Sequence, residues 1–411
     1  MTLFEDLKWR GLIKDITSPE LEDKLNNESL TFYWGTDPTA DSLHIGHLSS
    51  LLVAKRLKEA GHHPILLVGG ATGLIGDPRP TAERSIITKE ELLKNFEGIK
   101  NQVTELFGYE VVNNFDWCKE INFIDFLRDY GKYFNVNYML DKDIIRRRLE
   151  TGITYTEFSY MIIQALDFMH LFESKNCILQ AAGSDQWGNI TAGVDLIRKK
   201  TGKEAYAFTM PLVTDSTGKK LGKSEGNAIW LDKTKTSSYE MYQYLINLED
   251  EMIISYLKVF TFLSKEEIEL LEQKHQSNPH LREAHKALAK ELITFLHGED
   301  EYKKALKISE SLFSGDFKEL NSDEIKEALK EVPNFEFELE TNILDILINN
   351  NICSSKREAR ELLNSNSITV NNQKITDENY VISNKDLIDN QILIIKRGKK
   401  KYYLGLKKES N

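Results

Sequence analysis

Two units of one form, an apolar run, a glycine-rich loop and then a helix, predict an α/β fold built on a parallel sheet. In the first, Ile65-Leu66-Leu67-Val68 runs into Gly69-Gly70-Ala71-Thr72-Gly73. In the second, Cys177-Ile178-Leu179-Gln180 leads to Gly183-Ser184-Asp185-Gln186-Trp187-Gly188 and a helical pattern from Ile190. An unbroken apolar run marks a strand covered on both faces, and strands alternating with helices pair in parallel. The third observation is Thr31-Phe32-Tyr33-Trp34, a short strand pattern. A turn-rich connection with Asp37-Pro38 follows it, then a helical pattern (Leu48, Leu51, Leu52, Ala54) that stops at Gly61. Ligands of such sheets bind beyond the carboxyl ends of the strands, so the glycine-rich loops are the expected site.

The 411 residues exceed one compact core, so two or three domains are expected. The parallel-sheet domain, with a helical insertion over 123–172, is assigned to 1–237. A helical domain follows over 238–320, opened in part by the capping box Ser264-Lys265-Glu266-Glu267. The acidic stretch 321–341, with Pro333, reads as a linker. A small α+β domain spans 342–408, with Ile343, Leu344, Leu347, Leu362, Leu363, Ile368, Val370, Ile392 and Ile394 as its expected core.

Composition excludes several classes. No apolar run is long enough for a membrane helix. The acidic start, Met1-Thr2-Leu3-Phe4-Glu5-Asp6, is unlike a signal peptide, so a cytoplasmic protein is expected. Cys118, Cys177 and Cys353 are odd in number and far apart, which predicts buried thiols and neither disulfides nor a metal site. A net charge of -11 argues against a general nucleic-acid binder. The end of the chain differs: Lys396, Arg397, Lys399, Lys400, Lys401, Lys407 and Lys408 face only Glu409, a pattern suited to gripping a polyanion.

The chemistry is carried by His44-Ile45-Gly46-His47, at a loop-to-helix junction, and by Lys220-Leu221-Gly222-Lys223-Ser224 in a glycine-rich loop. A helix N-terminus offers free N–H groups and a partial positive charge to phosphate. Two histidines add donors, Gly46 leaves room for a flat base or ribose, and a lysine loop can meet charge that develops on phosphoryl oxygens. Residues 218–224 lack one residue of the spacing G-x-x-x-x-G-K-[ST], and Gly69, Gly70, Gly73 and Gly76 do not make G-x-G-x-x-G. A lone histidine at a helix start is usually a cap, and a lysine loop is usually just solvated. Their joint occurrence in an α/β frame is the informative fact.

The two motifs resemble the HIGH and KMSKS signatures of class I aminoacyl-tRNA synthetases; Leu221 and Gly222 stand where the second has Met and Ser. Nearly the whole chain is similar to the bacterial tyrosyl-tRNA synthetase family. The similarity is carried by residues 37–47, by Val68-Gly69-Gly70-Ala71-Thr72-Gly73-Leu74-Ile75-Gly76-Asp77-Pro78 and by Gly183-Ser184-Asp185-Gln186-Trp187-Gly188-Asn189-Ile190-Thr191-Ala192-Gly193. Residues 342–408 resemble the RNA-binding domain shared with a small-subunit ribosomal protein. The resemblance implies a Rossmann-type catalytic domain over 1–237, followed by the helical and the RNA-binding domains. It implies activation of L-tyrosine by ATP, carried in with Mg2+ and without a tightly bound cofactor, then transfer to tRNA(Tyr). It also implies a homodimer with an interface around residues 133–155.

Carried over by position, Tyr33 and Asp167 would bind the substrate phenol, and Tyr160, Gln164 and Asp77 its α-ammonium. The spacing of Tyr160, Gln164 and Asp167 puts all three on one helical face. Asp185 and Gln186 would meet the ribose and the reacting carboxylate. Asp37, His44, Gly46, His47, Lys220, Lys223 and Ser224 would bind ATP, with His44, His47, Lys220 and Lys223 as the catalytic set. Lys356, Arg357, Arg360, Arg397, Lys399, Lys400 and Lys401 would bind RNA. Two further places depart from the family pattern. The segment 77–84 is a residue short and lacks a lysine, although Arg84 matches and Arg79 offers a cation. Trp34 replaces a small residue beside the ribose. A tryptophanyl enzyme and a non-catalytic RNA-binding protein are the rival readings. Pyrophosphate exchange is expected to depend on tyrosine and stay silent with tryptophan; ATP turnover without any amino-acid dependence would revive the second rival.

Overall fold

The computed structural model describes residues 1–78, 87–224, 227–317, 319–398 and 401–408. The chain folds as two compact units, one of residues 1–236 and 248–288, the other of residues 237–247 and 289–411.

The first unit is built on a six-stranded sheet of β1 (Asp15–Ile16), β2 (Thr31–Thr36), β3 (His63–Val68), β4 (Glu110–Asn113), β5 (Cys177–Gly183) and β6 (Tyr206–Met210). The strand order is β1-β6-β5-β2-β3-β4, with only the β1–β6 pair antiparallel. The order runs outward in both directions from β2, so the crevice beyond β2 and β5 is the switch point where ligands of such sheets bind. Phe32, Tyr33 and Trp34 are consecutive and all buried, which requires cover on both faces of β2. Helix α1 (Ile45–Glu59) follows β2, and helix α2 (Phe115–Cys118) is a single turn after β4. Helix α3 (Tyr155–Lys175) is capped by Thr154, which accepts from the Glu157 N–H, and ends at left-handed Asn176. It packs Ala165, Phe168 and Met169 onto Tyr33, Ile65 and Leu67. Helix α4 (Trp187–Thr201) follows β5.

The second unit carries a five-stranded sheet of β7 (Asn334–Phe337), β8 (Ile368–Val370), β9 (Gln373–Lys374), β10 (Ile392–Arg397) and β11 (Lys401–Lys407), in the order β9-β8-β10-β11-β7. The expected linker 321–341 is therefore corrected. Asn321 caps a helix, Ser322–Ala328, and β7 pairs parallel with β11 from Asn334↔Leu404 to Phe337↔Lys407. The expected core is corrected too. Leu393 and Ile395 pack against Ile343, Leu347 and Leu363, whereas Ile392 and Ile394 occupy the opposite face with Ile308, Phe317 and Ile325. Alternation along β10 forces this split, and both faces are covered.

The helical segment 238–320 does not stay together. Arg10 holds residues 248–288 to the first unit by donating to the carbonyls of Lys258, Thr261 and Leu263 at 3.1, 3.2 and 2.7 Å, and the Tyr256 hydroxyl donates to Thr214 O at 2.9 Å. In the second unit, Gln243 Nε2 donates to Ser309 Oγ at 3.0 Å. No helix among the described residues is long and apolar enough to cross a membrane. Cutting the chain after Glu340 removes β8 to β11 and uncovers Ile308, Phe317 and Ile325. The truncated chain is expected to bind an apolar dye strongly where the intact chain does not; equal dye binding would refute the shared core.

Candidate active site

Tyr33, Asp37, His44, Gly46, His47, Asp77, Tyr160, Gln164, Asp167, Asp185, Gln186 and Lys220 all line one cavity of about 280 Å³ at the ends of β2 and β5. They come from five separate stretches of sequence, joined only by the fold. Arg79, Arg84, Lys399 and Lys400 lie outside the described residues, as do the side chains of Lys223 and Ser224.

One end of the cavity is buried. Asp167 is 2% exposed and accepts from Asn114 Nδ2 and Trp117 Nε1, both at 2.9 Å, and from Cys118 Sγ at 3.9 Å. Burial pushes its carboxyl up to about 7, against the pull of the Asn114 and Trp117 donors. The Tyr33 hydroxyl is also buried, with no hydrogen-bond partner among the described residues, and so is Gln180 Oε1 on the neighbouring strand. Buried polar atoms of this kind are costly unless a ligand completes them. Burial, with the nearby Asp167 charge, drives the Tyr33 phenol well above its usual range. Asn114, Trp117, Cys118 and Gln180 carried no functional signal in the sequence. Cys118 also departs from expectation: it is half-buried rather than buried.

The middle of the cavity is a hydrogen-bonded chain. Asn114 Nδ2 also donates to Thr72 Oγ1 at 3.1 Å, Thr72 Oγ1 donates to Asp37 Oδ1 at 2.7 Å, and the Tyr160 hydroxyl donates to Asp37 Oδ2 at 3.0 Å. Asp37, expected at ATP, thus orients Tyr160. A side chain at Gly69 would collide with both Asp37 and Thr72, so glycine is needed there for close approach. Asp77 accepts from Gln186 Nε2 at 3.0 Å and from Asn189 Nδ2 at 3.2 Å.

At the other end His44 and His47 cap α1 reciprocally. His44 Nδ1 accepts from the Gly46 N–H at 3.0 Å, and His47 Nδ1 accepts from the His44 N–H at 3.3 Å. Both acceptors are Nδ1, so the proton of each neutral ring sits on Nε2. A Cβ on Gly46 would lie 2.8 Å from His44 Cε1. Glycine is therefore needed at position 46, and Gly46 lines the cavity. Trp34 lines the cavity and meets the His47 ring edge-on, with centroids 6.3 Å apart. Lys220 Nζ lies 3.3 Å from Asp185 Oδ2. Gly222 has φ +72, and a side chain there would strike Ile45; that contact explains glycine where the signature has serine.

In the second unit the basic candidates are paired with acids. Lys356 lies 3.9 Å from Asp345, Arg357 lies 3.0 Å from Glu361, and Arg360 pairs with Glu378. Arg357 is 87% exposed and Arg397 only 27%. Arg397 is tied to Glu358 and to the Ile352 carbonyl, a structural commitment its position in a basic run had concealed. Lys401 opens β11 and is exposed.

Residues 25–314 match the family profile of class I tRNA synthetases (W and Y), and residues 324–405 match that of the tyrosine–tRNA ligase SYY-like C-terminal domain. The chain is 53% identical to the tyrosine–tRNA ligase of Staphylococcus carnosus (strain TM300), over 98% of each chain. It resembles the crystal structure of a C-terminally truncated mitochondrial tyrosyl-tRNA synthetase of Aspergillus nidulans at 31% identity and TM-score 0.67, covering 76% of this chain and 94% of that one. The corresponding Coccidioides posadasii structure matches at 28% identity and TM-score 0.65, over 75% and 91%.

Asp167 yields a pH prediction. An unfolded aspartate titrates near ~3.9, while the folded group titrates at about 7. The folded state therefore binds the extra proton between these values. The stability it contributes is complete below the unfolded value and is lost as pH rises through the folded one. Relative to the parent, Asp167→Asn is expected to gain melting temperature steadily from pH ~4 to ~8. A constant difference over that range would refute the shift.

Proposed function

Because the chain belongs to the class I tRNA synthetases of tryptophan and tyrosine, we propose that the cavity takes tyrosine at its buried end and ATP at its charged end. The chain is a tyrosine–tRNA ligase. It activates L-tyrosine with ATP to tyrosyl-adenylate and pyrophosphate, and then transfers tyrosine to the 3′-terminal adenosine of tRNA(Tyr).

The tyrosine carboxylate attacks the α-phosphorus, and the bond from that phosphorus to the pyrophosphate oxygen breaks. The nucleophile is already an anion, so this step calls for positioning and charge stabilisation rather than a general base. Tyr160, Gln164 and Asp77 hold the α-ammonium, with Gln186 and Asp185 toward the carboxylate and ribose. The Nε2–H groups of His44 and His47 donate to phosphate oxygens at the α1 N-terminus, where the helix dipole adds to their effect. Lys220 and Lys223 stabilise charge that grows on the leaving pyrophosphate, and Mg2+ arrives with ATP. A ribose hydroxyl of the tRNA then attacks the tyrosyl carbonyl, and AMP leaves.

Asp167 and Tyr33 carry the choice of amino acid. A buried acceptor beside a buried unpartnered hydroxyl suits a phenol that both donates and accepts, and suits neither indole nor phenyl. Three unpaired cysteines agree with the reducing cytoplasm, where charging would take place. Val136, Tyr138, Leu149 and Tyr155, each 47–64% exposed, support a dimer face around residues 133–155. In the second unit the exposed Lys356, Arg357, Arg360 and Lys401 are the groups for gripping RNA, the first three at the cost of releasing their acidic partners.

Discrimination against phenylalanine tests the reading. Sites built to hydrogen-bond a hydroxyl reject its absence by about 10⁴–10⁵, with tyrosyl enzymes the reference case. Asp167→Asn and Tyr33→Phe are each expected to lower the tyrosine-to-phenylalanine ratio of kcat/KM in pyrophosphate exchange by at least about tenfold. An unchanged ratio in both variants would overturn the assignment of the phenol end.

A further inference from the structure

Among the described residues, every donor to the Asp167 carboxyl comes from one short corner. Asn114 stands at the N-cap of α2, and Trp117 and Cys118 form its last two residues. That helix is a single turn whose N-cap residue, Asn114, makes no capping bond of its own; Asn113 Oδ1 accepts from the Phe115 N–H at 2.9 Å. A turn of this length has little intrinsic stability and must be held by tertiary contacts. Its indole is half-buried at the edge of the core, so burial alone does not fix the plane of the ring. What lies on that plane is His170. The two rings stack with centroids 4.3 Å apart and an interplanar angle of 13°. His170 is three residues beyond Asp167 on α3, hence on the same helical face. One rigid helix therefore carries both the acceptor of the indole N–H and the plate against which the indole rests.

We propose that His170 is a positioning residue for tyrosine selection: its ring holds Trp117 flat, so that Nε1–H stays aimed at Asp167. The inference rests on the reading of Asp167 as the phenol partner. His170 touches no reacting atom. Its burial holds the imidazole below its ordinary pKa, with the Glu173 charge acting the other way, so the ring is neutral at pH 7. A flat ring is what stacking on indole requires; imidazole chemistry is not. When the plate is removed, the indole swings, Asp167 loses an aligned donor, and the phenol meets a less ordered carboxyl. ATP, held at the other end of the cavity, is unaffected.

Four single substitutions and one double variant test this. His170→Ala is expected to raise KM for tyrosine roughly three- to tenfold, the range of one aromatic pair, with kcat and KM for ATP unchanged. His170→Phe restores the parent value and His170→Leu does not. The indole N–H resonance of Trp117, assigned by its loss in Trp117→Phe, is expected to move in His170→Ala and return in His170→Phe. Trp117→Phe keeps a ring on the stack but lacks the N–H, so adding His170→Ala to it should produce little further rise. An unchanged tyrosine KM and an unmoved resonance in His170→Ala would overturn the proposal. So would a full additional effect on the Trp117→Phe background, or equal rescue by Leu and Phe. If Asp167→Asn and Tyr33→Phe both leave phenylalanine discrimination intact, the reading of the phenol end fails instead.

Discussion

Burial of the Asp167 carboxyl is the constraint around which the first unit is arranged. An unpartnered acid in an apolar core is expensive, and this one is offset by donors from Asn114, Trp117 and Cys118. Those donors must come from the turn after β4, so the acid in α3 dictates how an edge strand ends. Asn114 passes the constraint on to Thr72, Thr72 to Asp37, and Asp37 to Tyr160, back on α3. The circuit ties the ends of β2, β3 and β4 to one face of one helix. The same bonds that satisfy buried groups in the fold set the shape of the cavity, so fold and specificity share a single network.

The parts of this arrangement that were legible in the sequence are those written locally. Strands β2, β3 and β5 carry continuous apolar runs because they lie inside the sheet, and their loops carry the glycines that close approach requires. Strand β4, Glu110-Val111-Val112-Asn113, is a sheet edge with an exposed first residue, and its short pattern did not stand out. Strand β7 is Asn334-Phe335-Glu336-Phe337, where two aromatics alternate with polar residues after Pro333, so its acidity suggested a linker. The site divides in the same way. Tyr160, Gln164 and Asp167 share a helical period. Asn114 and Trp117 reach Asp167 across 53 and 50 positions respectively, and no local spacing records such a pair. Trp34 shows the limit of alternation: in a strand covered on both faces, neighbouring side chains are buried whichever way they point, and this one reaches the cavity.

The two ends of the cavity solve opposite electrostatic problems. At the proposed phenol end the Asp167 carboxyl is buried and bonded, while the buried Tyr33 hydroxyl and Gln180 Oε1 await a ligand, an arrangement that favours discrimination. At the other end, the groups proposed to meet phosphate are a helix N-terminus, two imidazoles and Lys220, which lies beside Asp185. The reciprocal cap between His44 and His47 links the ends of this argument. Because each Nδ1 is used by the backbone, the tautomer of both rings is set before any ligand binds, and the donor is Nε2–H. Capping is the ordinary reading of a histidine at a helix start, and donation to phosphate the functional one. Here the first enables the second, since the bond that secures the helix end also determines which nitrogen can donate.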